Sequence, residues 1–213
     1  LLRKMAKALR KAAEVVQEAA GNNFIGIDLM NEPSNGNRDF DDFDPNYLQR
    51  YYQMAAEELA DLDVVLLFEP NAFHNIEEAM NFTQAPDNGV YAPHFYPAEG
   101  EIGIYSGDID YLDTYLYLST SEALQLETPL VFGEFGPWCD DEKAIDFIRD
   151  FYTLINREFA GSFHWEYSDR TNRSPLRETC MEKEFSKELF VPHARRVAGT
   201  PTSYSFDPES GIL

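Results

Sequence analysis

Phe24-Ile25-Gly26-Ile27-Asp28-Leu29-Met30-Asn31-Glu32-Pro33 is an apolar run that ends abruptly in an amide, a carboxylate and a proline. Bounded by Gly21-Asn22-Asn23 and by Pro33-Ser34-Asn35-Gly36, it reads as a strand buried on both faces, as in parallel sheets. Pro33 has no N–H to give to a ladder, so the strand stops there and Glu32 sits at its carboxyl end. Leu130-Val131-Phe132-Gly133-Glu134-Phe135-Gly136-Pro137 repeats the arrangement and puts Glu134 where a hydrophobic strand gives way to Gly and Pro. Val64-Val65-Leu66-Leu67-Phe68, closed by Glu69-Pro70, is a further buried strand of the same kind.

Working outward, the first twenty residues form a helix whose face is marked by Leu2, Met5, Leu9, Ala12, Val15 and Val16, with Gly21 as its cap. Asp44-Pro45 opens the next helix, with Asp44 as N-cap and Leu48, Tyr51, Tyr52, Ala55 and Leu59 on its apolar face. Val90 to Tyr96 reads as a strand whose regular ladder Pro93 cuts short, and Ala98 to Asp110 as a long glycine-punctuated loop. Helices from Asp113 to Leu126 and from Asp141 to Asn156 flank the strand that ends at Glu134. Gly161 to Tyr167 is the fifth strand, and the region from Glu178 to Leu189 reads as helix.

Five strands separated by helices or long crossovers predict a parallel α/β sheet. No glycine-rich phosphate turn follows any strand, which disfavours an open nucleotide-binding sheet. The strand ends instead carry Glu, His, Tyr and Trp, as at the catalytic face of a barrel. A whole barrel takes eight strands and about 250 residues. The fold expected for residues 1–198 is therefore the C-terminal five-eighths of a (β/α)8 TIM barrel, strands 4 to 8. Thr200 to Phe206 alternates polar and apolar residues, so residues 199–213 are expected to begin a β-rich C-terminal domain or linker.

Composition narrows the function. The formal charge of -21 over 213 residues argues against nucleic acid and against an anionic membrane surface as partners. No run of about eighteen apolar residues is present, so no transmembrane segment is expected. Cys139 and Cys180 are too few for a disulfide scaffold and are read either as a pair or as two free buried thiols. Asn81-Phe82-Thr83 and Asn172-Arg173-Ser174 match the glycosylation pattern by spacing alone. Asp39, Asp41, Asp42 and Asp44 lack the loop spacing and closing Glu of a calcium-binding EF-hand and read as a solvated loop, so no metal and no cofactor is expected.

Asn31-Glu32-Pro33, His94-Phe95-Tyr96, Gly133-Glu134-Phe135-Gly136 and Trp165 together resemble strands four, six, seven and eight of glycoside hydrolase family 5. The wider stretch Asp28 to Pro33, with Val197-Ala198-Gly199-Thr200-Pro201, is similar to the endoglycoceramidase and glycosylceramidase branch of that family. The resemblance implies a retaining hydrolase with Glu32 as acid/base and Glu134 as nucleophile, two carboxyl groups that such chemistry needs about 5 Å apart. It further implies that Asn31 binds the sugar 2-hydroxyl, Tyr96 hydrogen-bonds the nucleophile, and His94 supports the acid/base or the sugar. Trp165 offers a flat face to the sugar ring, and Trp138 does the same further out.

Other readings stand beside these. His94 also reads as a structural histidine, and Tyr96 and Trp165 as rim packing. Glu69-Pro70 reads as a turn with a solvated carboxylate, and Glu166 and Asp169 as strand-end polar groups. The substrate implied by the resemblance is a β-linked glycan or glycolipid cleaved at the glycan–ceramide linkage. An endo-β-1,4-glucanase and a non-catalytic carbohydrate-binding remnant are the alternatives, and a secreted or extracellular protein is expected. The first three barrel strands, where the family places an arginine and further sugar-binding residues, are expected from a parent chain. The fragment alone is expected to be poorly soluble or self-associating and little active.

Overall fold

The apolar runs become strands and the amphipathic runs between them become helices. The computed structural model describes residues 1–76, 79–138, 141–158, 160–192, 204, 206 and 210. α1 (Leu2–Ala20) and β1 (Gly26–Asp28) precede a helical stretch made of α2 (Phe40–Phe43), a π-helical turn (Asp44–Leu48) and α3 (Gln49–Leu59). β2 (Val65–Phe68), a 3-10 turn (Ala72–Ile76), β3 (Gly89–Tyr91) and β4 (His94–Phe95) come next. Then follow α4 (Ala98–Glu101), α5 (Ile109–Gln125), β5 (Val131–Phe135), α6 (Asp141–Arg157), β6 (Gly161–His164) and α7 (Ser186–Leu189).

β1, β2 and β3 pair in that order in parallel, with Ile27 opposite Leu66 and Leu67 opposite Val90. An isolated parallel bridge joins Tyr91 to Leu130, and a second ladder has the order β4-β5-β6. Pro93 interrupts the third expected strand, as its missing N–H requires, so β3 and β4 are two pieces of one strand. Counted that way, the described residues hold five barrel strands, and the fold is α/β, the C-terminal five-eighths of a (β/α)8 barrel.

The chain divides into two compact units, one of Leu1–His94 with Ser119–Gly133, the other of Phe95–Leu118 with Glu134–Leu213. In the first, Tyr51, Tyr52, Ala55 and Leu59 of α3 pack with Leu66, Phe68 and Tyr91 of the sheet. Tyr52 lies edge-on to Phe68 and Phe82, each 5.9 Å away between ring centres. The Tyr51 hydroxyl donates to the Leu29 carbonyl (3.0 Å) and that of Tyr52 to the Glu69 carbonyl (2.9 Å), so α3 holds the ends of β1 and β2. α1 buries Ala6 and Ala13, whereas Ala12, Val15 and Val16, assigned by sequence to the same face, are exposed.

Asp44 departs from the sequence reading. Helix begins upstream at Phe40 with Asp39 at the N-cap position, and Asp44 instead ends α2 as its C-cap. Its carboxylate is fully buried and accepts from Asn71 Nδ2 (3.0 Å) and from the Asn81 N–H (3.2 Å). Burial pushes its pKa up. A second buried knot lies in the same unit: Tyr91 OH donates to Glu122 Oε2 (2.7 Å), His74 Nε2 lies 2.7 Å from the same oxygen, and the Met80 N–H donates to Oε1 (2.9 Å). These bonds fasten the loop after β2.

The second unit is built on stacked rings. Phe151 of α6 stacks on Phe135 of β5 (4.2 Å) and tilts against Phe95 of β4 (4.9 Å). Tyr105 OH donates to Asp150 Oδ2 (2.6 Å), fastening the loop after α4 to α6. Between Glu178 and Leu189 only Ser186–Leu189 is helical, and an antiparallel bridge joins Leu176 to Glu182 instead. Cys180 is exposed rather than buried. Cys139 and nearly all of the expected C-terminal β-rich stretch, residues 199–213, lie outside the described residues.

His164 of β6 lies edge-on to Phe135 at 5.4 Å, and its buried Nε2 has no hydrogen-bond partner among the described residues. Burial first, then the charges of Arg173 and Lys183, lower its pKa to about 4. A depressed folded pKa leaves stability intact above the ordinary value near 6.5 and removes it as pH falls toward the folded value. The expected loss between those limits is on the order of 2–3 kcal/mol. Urea unfolding of wild type and His164→Phe checks this: relative to wild type, the variant gains stability at acid pH that it lacks at mildly alkaline pH.

Candidate active site

Each unit gathers its own cluster at the carboxyl ends of its strands. In the first unit, the β1 ladder continues past Asp28 through the Leu29 N–H to the Leu67 carbonyl (2.9 Å), and Glu32 follows in a left-handed conformation with φ of 44°. That region suits glycine, so a glutamate there is held by its surroundings. The holder is Glu69, at the end of β2, whose Oε2 accepts the Glu32 N–H at 2.9 Å. His94 of β4 stands between the two carboxyl groups, with Nδ1 3.0 Å from Glu32 Oε1 and Nε2 3.1 Å from Glu69 Oε1. The imidazole is buried, and the Glu32 side chain keeps 42% of its surface open.

Glu69 is only 2% exposed, so the reading of a turn with a solvated carboxylate fails. The sequence does show Glu69-Pro70 in the pattern of Glu32-Pro33, but not that β2 lies beside β1 and aims its last side chain inward. Asp28 adds a third acid. Crowding on the sheet side, then the hydrogen bond with Glu69 and its charge, push the Asp28 carboxyl up to about 7. Asp28 lies on an edge strand and is exposed on its open side, where water limits the rise. Asn31 is exposed at the end of the same segment.

In the second unit Glu134 lies half-buried inside β5, one residue before its end. Tyr96, just past β4, donates its hydroxyl to Glu134 Oε2 at 3.0 Å. Burial, then the Glu134 charge and that bond, push the phenol's pKa up, so Tyr96 stays a donor. Trp138 and Trp165 follow β5 and β6 and are both substantially exposed. The Trp165 N–H donates to the Phe135 carbonyl at 2.8 Å. A Cβ at Gly136 would meet the Trp165 carbonyl oxygen at 2.3 Å, so only glycine lets the two segments approach this closely. The structure thus groups Asn31, Glu32 and His94 in one unit and Tyr96, Glu134, Trp138 and Trp165 in the other.

Arg173 is a component that sequence reading missed. Its guanidinium lies 5.0 Å from the Tyr96 ring centre and 4.9 Å from that of Trp138. Nε donates to the Gly136 carbonyl at 2.9 Å, and Nη2 pairs with Glu101. It comes from an irregular segment with no periodicity to flag it. Its sequence neighbours Asn172 and Ser174 suggest only a glycosylation pattern, and Ser174 is wholly buried.

Comparison with known proteins agrees with this arrangement of strands. No curated protein sequence matches the chain significantly. The chain resembles endo-glycoceramidase II from Rhodococcus sp. in its five-membered iminocyclitol complex, with a TM-score of 0.85 and 26% identity over 100% of this chain and 53% of that one. Its ganglioside GM3 complex gives 0.84 and 25%, over 96% of this chain and 49% of that one. A hyperthermophilic endo-beta-1,4-glucanase in complex with substrate shares the fold, with a TM-score of 0.70 at 12% identity over 86% of this chain and 64% of that one. The chain spans about half the length of the endo-glycoceramidase chains it matches. The family model described as Cellulase (glycosyl hydrolase family 5) matches residues 3–171, and the chain belongs to that family.

Proposed function

We propose that the chain carries the two working carboxyl groups of a retaining β-glycoside hydrolase that cuts glycosphingolipids between glycan and ceramide. Glu134 attacks the anomeric carbon while Glu32 passes its proton to the departing ceramide oxygen, leaving a glycosyl ester on Glu134. Glu32, now a carboxylate, takes a proton from water, and that water displaces Glu134 with a second inversion. Asn31 binds the sugar 2-hydroxyl, Tyr96 orients the nucleophile through its bond to Oε2, and Trp165 lies against the sugar ring.

The observation that carries the lipid reading is in the loop after β4. Ile102 and Ile104 are 67% and 59% exposed there, and the Trp138 N–H donates to the Gly100 carbonyl of the same segment at 2.9 Å. Exposed apolar side chains in the segment bonded to Trp138 fit a ligand with hydrocarbon next to its sugar, as ceramide has. The neighbour solved with ganglioside GM3 supports the same reading. The match to a family described as cellulase favours the second one, an endo-β-1,4-glucanase.

A substrate panel, run on the full-length parent protein, decides between them. The expected products are free ceramide and an intact glycan from glycosphingolipids. Release of cellobiose from cello-oligosaccharides, with glycolipids untouched, overturns the lipid reading, and no turnover on either overturns hydrolysis.

A further inference from the structure

We propose that Glu69 is a positioning residue for Glu32, fixing its backbone directly and, through His94, the atom on which its proton rests. The inference rests on Glu32 as the acid/base of the proposed reaction. Three observations within the first unit carry it. Glu69 is buried, and one of its oxygens accepts the N–H of a glutamate whose left-handed φ costs about 1 kcal/mol or more. Its other oxygen is buried without a well-aligned donor, and His94 Nε2 lies 3.1 Å from it. The opposite nitrogen of that imidazole is 3.0 Å from Glu32 Oε1.

The proton positions follow from donor and acceptor bookkeeping. The Glu69 carboxylate accepts from the Glu32 N–H and, in the proposed arrangement, holds the ring proton of His94 at Nε2, 3.1 Å from its other oxygen. In that arrangement Nδ1 is a bare lone pair, and the hydrogen bond across 3.0 Å is completed by a proton on Glu32 Oε1. A protonated Glu32 is what the first step needs. Asp28, which also faces Glu69, acts as a neutral donor when it holds its proton, and the Tyr52 hydroxyl occupies the Glu69 carbonyl rather than the carboxylate. Glu69, with no contact to the reacting atoms assigned, therefore acts through Glu32 and His94.

Two measurements on the full protein test this. Nitrogen-15 NMR of histidine-labelled wild type, with the His94 signal identified by its loss in His94→Asn, is expected to show a neutral ring protonated at Nε2. A ring protonated at Nδ1, or at both nitrogens, overturns the proposal. Glu69→Gln must still offer its amide oxygen to the Glu32 N–H, which turns its NH2 toward His94. The ring then carries its proton on Nδ1 and stabilises ionised Glu32.

For that variant the alkaline limb of kcat/KM on a ceramide glycoside is expected to move to lower pH, with a loss of about tenfold or more at neutral pH. Turnover of a dinitrophenyl glycoside, which needs no acid to leave, is expected to stay within about threefold. A limb that stays put or moves to higher pH overturns the proposal. If the protein hydrolyses nothing, the functional reading fails while the NMR result still decides the tautomer. If Glu69→Gln does not fold, the wild-type spectrum decides alone.

Discussion

Glu134→Gln is expected to lower turnover of every substrate by on the order of 10^4-fold or more while leaving substrate affinity nearly unchanged. Gln keeps the shape of Glu at a half-buried position in β5 and keeps an acceptor for the Tyr96 hydroxyl, so the strand is not disturbed. What it loses is the negative charge that forms the glycosyl ester. The expected stability change is within about 1 kcal/mol of wild type, as for isosteric changes that open no cavity. Glu134→Ala goes further, because the space it leaves admits a small anion. With azide present, that variant is expected to make a glycosyl azide of inverted configuration, identified by NMR of the product. A carbohydrate-binding protein without catalysis has no turnover to lose and makes no azide adduct, so this pair of variants separates the two classes.

Glu32→Ala is expected to divide substrates by their leaving group. Ceramide departs as a primary alkoxide unless it is protonated, so its release should fall by about 10^2- to 10^4-fold, the range for removing a general acid. A dinitrophenyl glycoside departs unaided, and its first step should be nearly intact. The second step then lacks its base, so the glycosyl ester on Glu134 should accumulate and be visible by mass spectrometry of the protein. Equal losses on both substrates would remove Glu32 from the acid role.

What the sequence made legible was local. Apolar runs closed by Pro70, Pro97 and Pro137 locate the ends of β2, β4 and β5 to within two residues, whereas β1 ends at Asp28, well before Pro33. The split at Pro93 follows from the same missing N–H. Glu32, Glu134, His94 and Tyr96 were recognisable because each sits beside such a stop. The buried network around Glu69 was not, because it depends on which strands become neighbours, and two Glu-Pro pairs look alike until β1 and β2 lie side by side. Asp44 misled for a related reason. Asp-Pro matches a helix start, but the helix begins at Phe40, and the carboxylate goes to Asn71 and Asn81, whose positions no local pattern fixes. Arg173 was invisible since a cation in an irregular segment carries no spacing signal.

The contact at Gly136 bears on how such a protein is altered by grafting. The turn after β5 and the turn after β6 touch backbone to backbone there, with no side chain to absorb a mismatch. Transplanting either turn alone from another family member should misplace Trp165, whereas exchanging both as one cassette should preserve the aromatic wall. Given the proposed contact of Trp165 with the sugar ring, new sugar preferences are to be sought in paired-turn libraries rather than in single-turn ones.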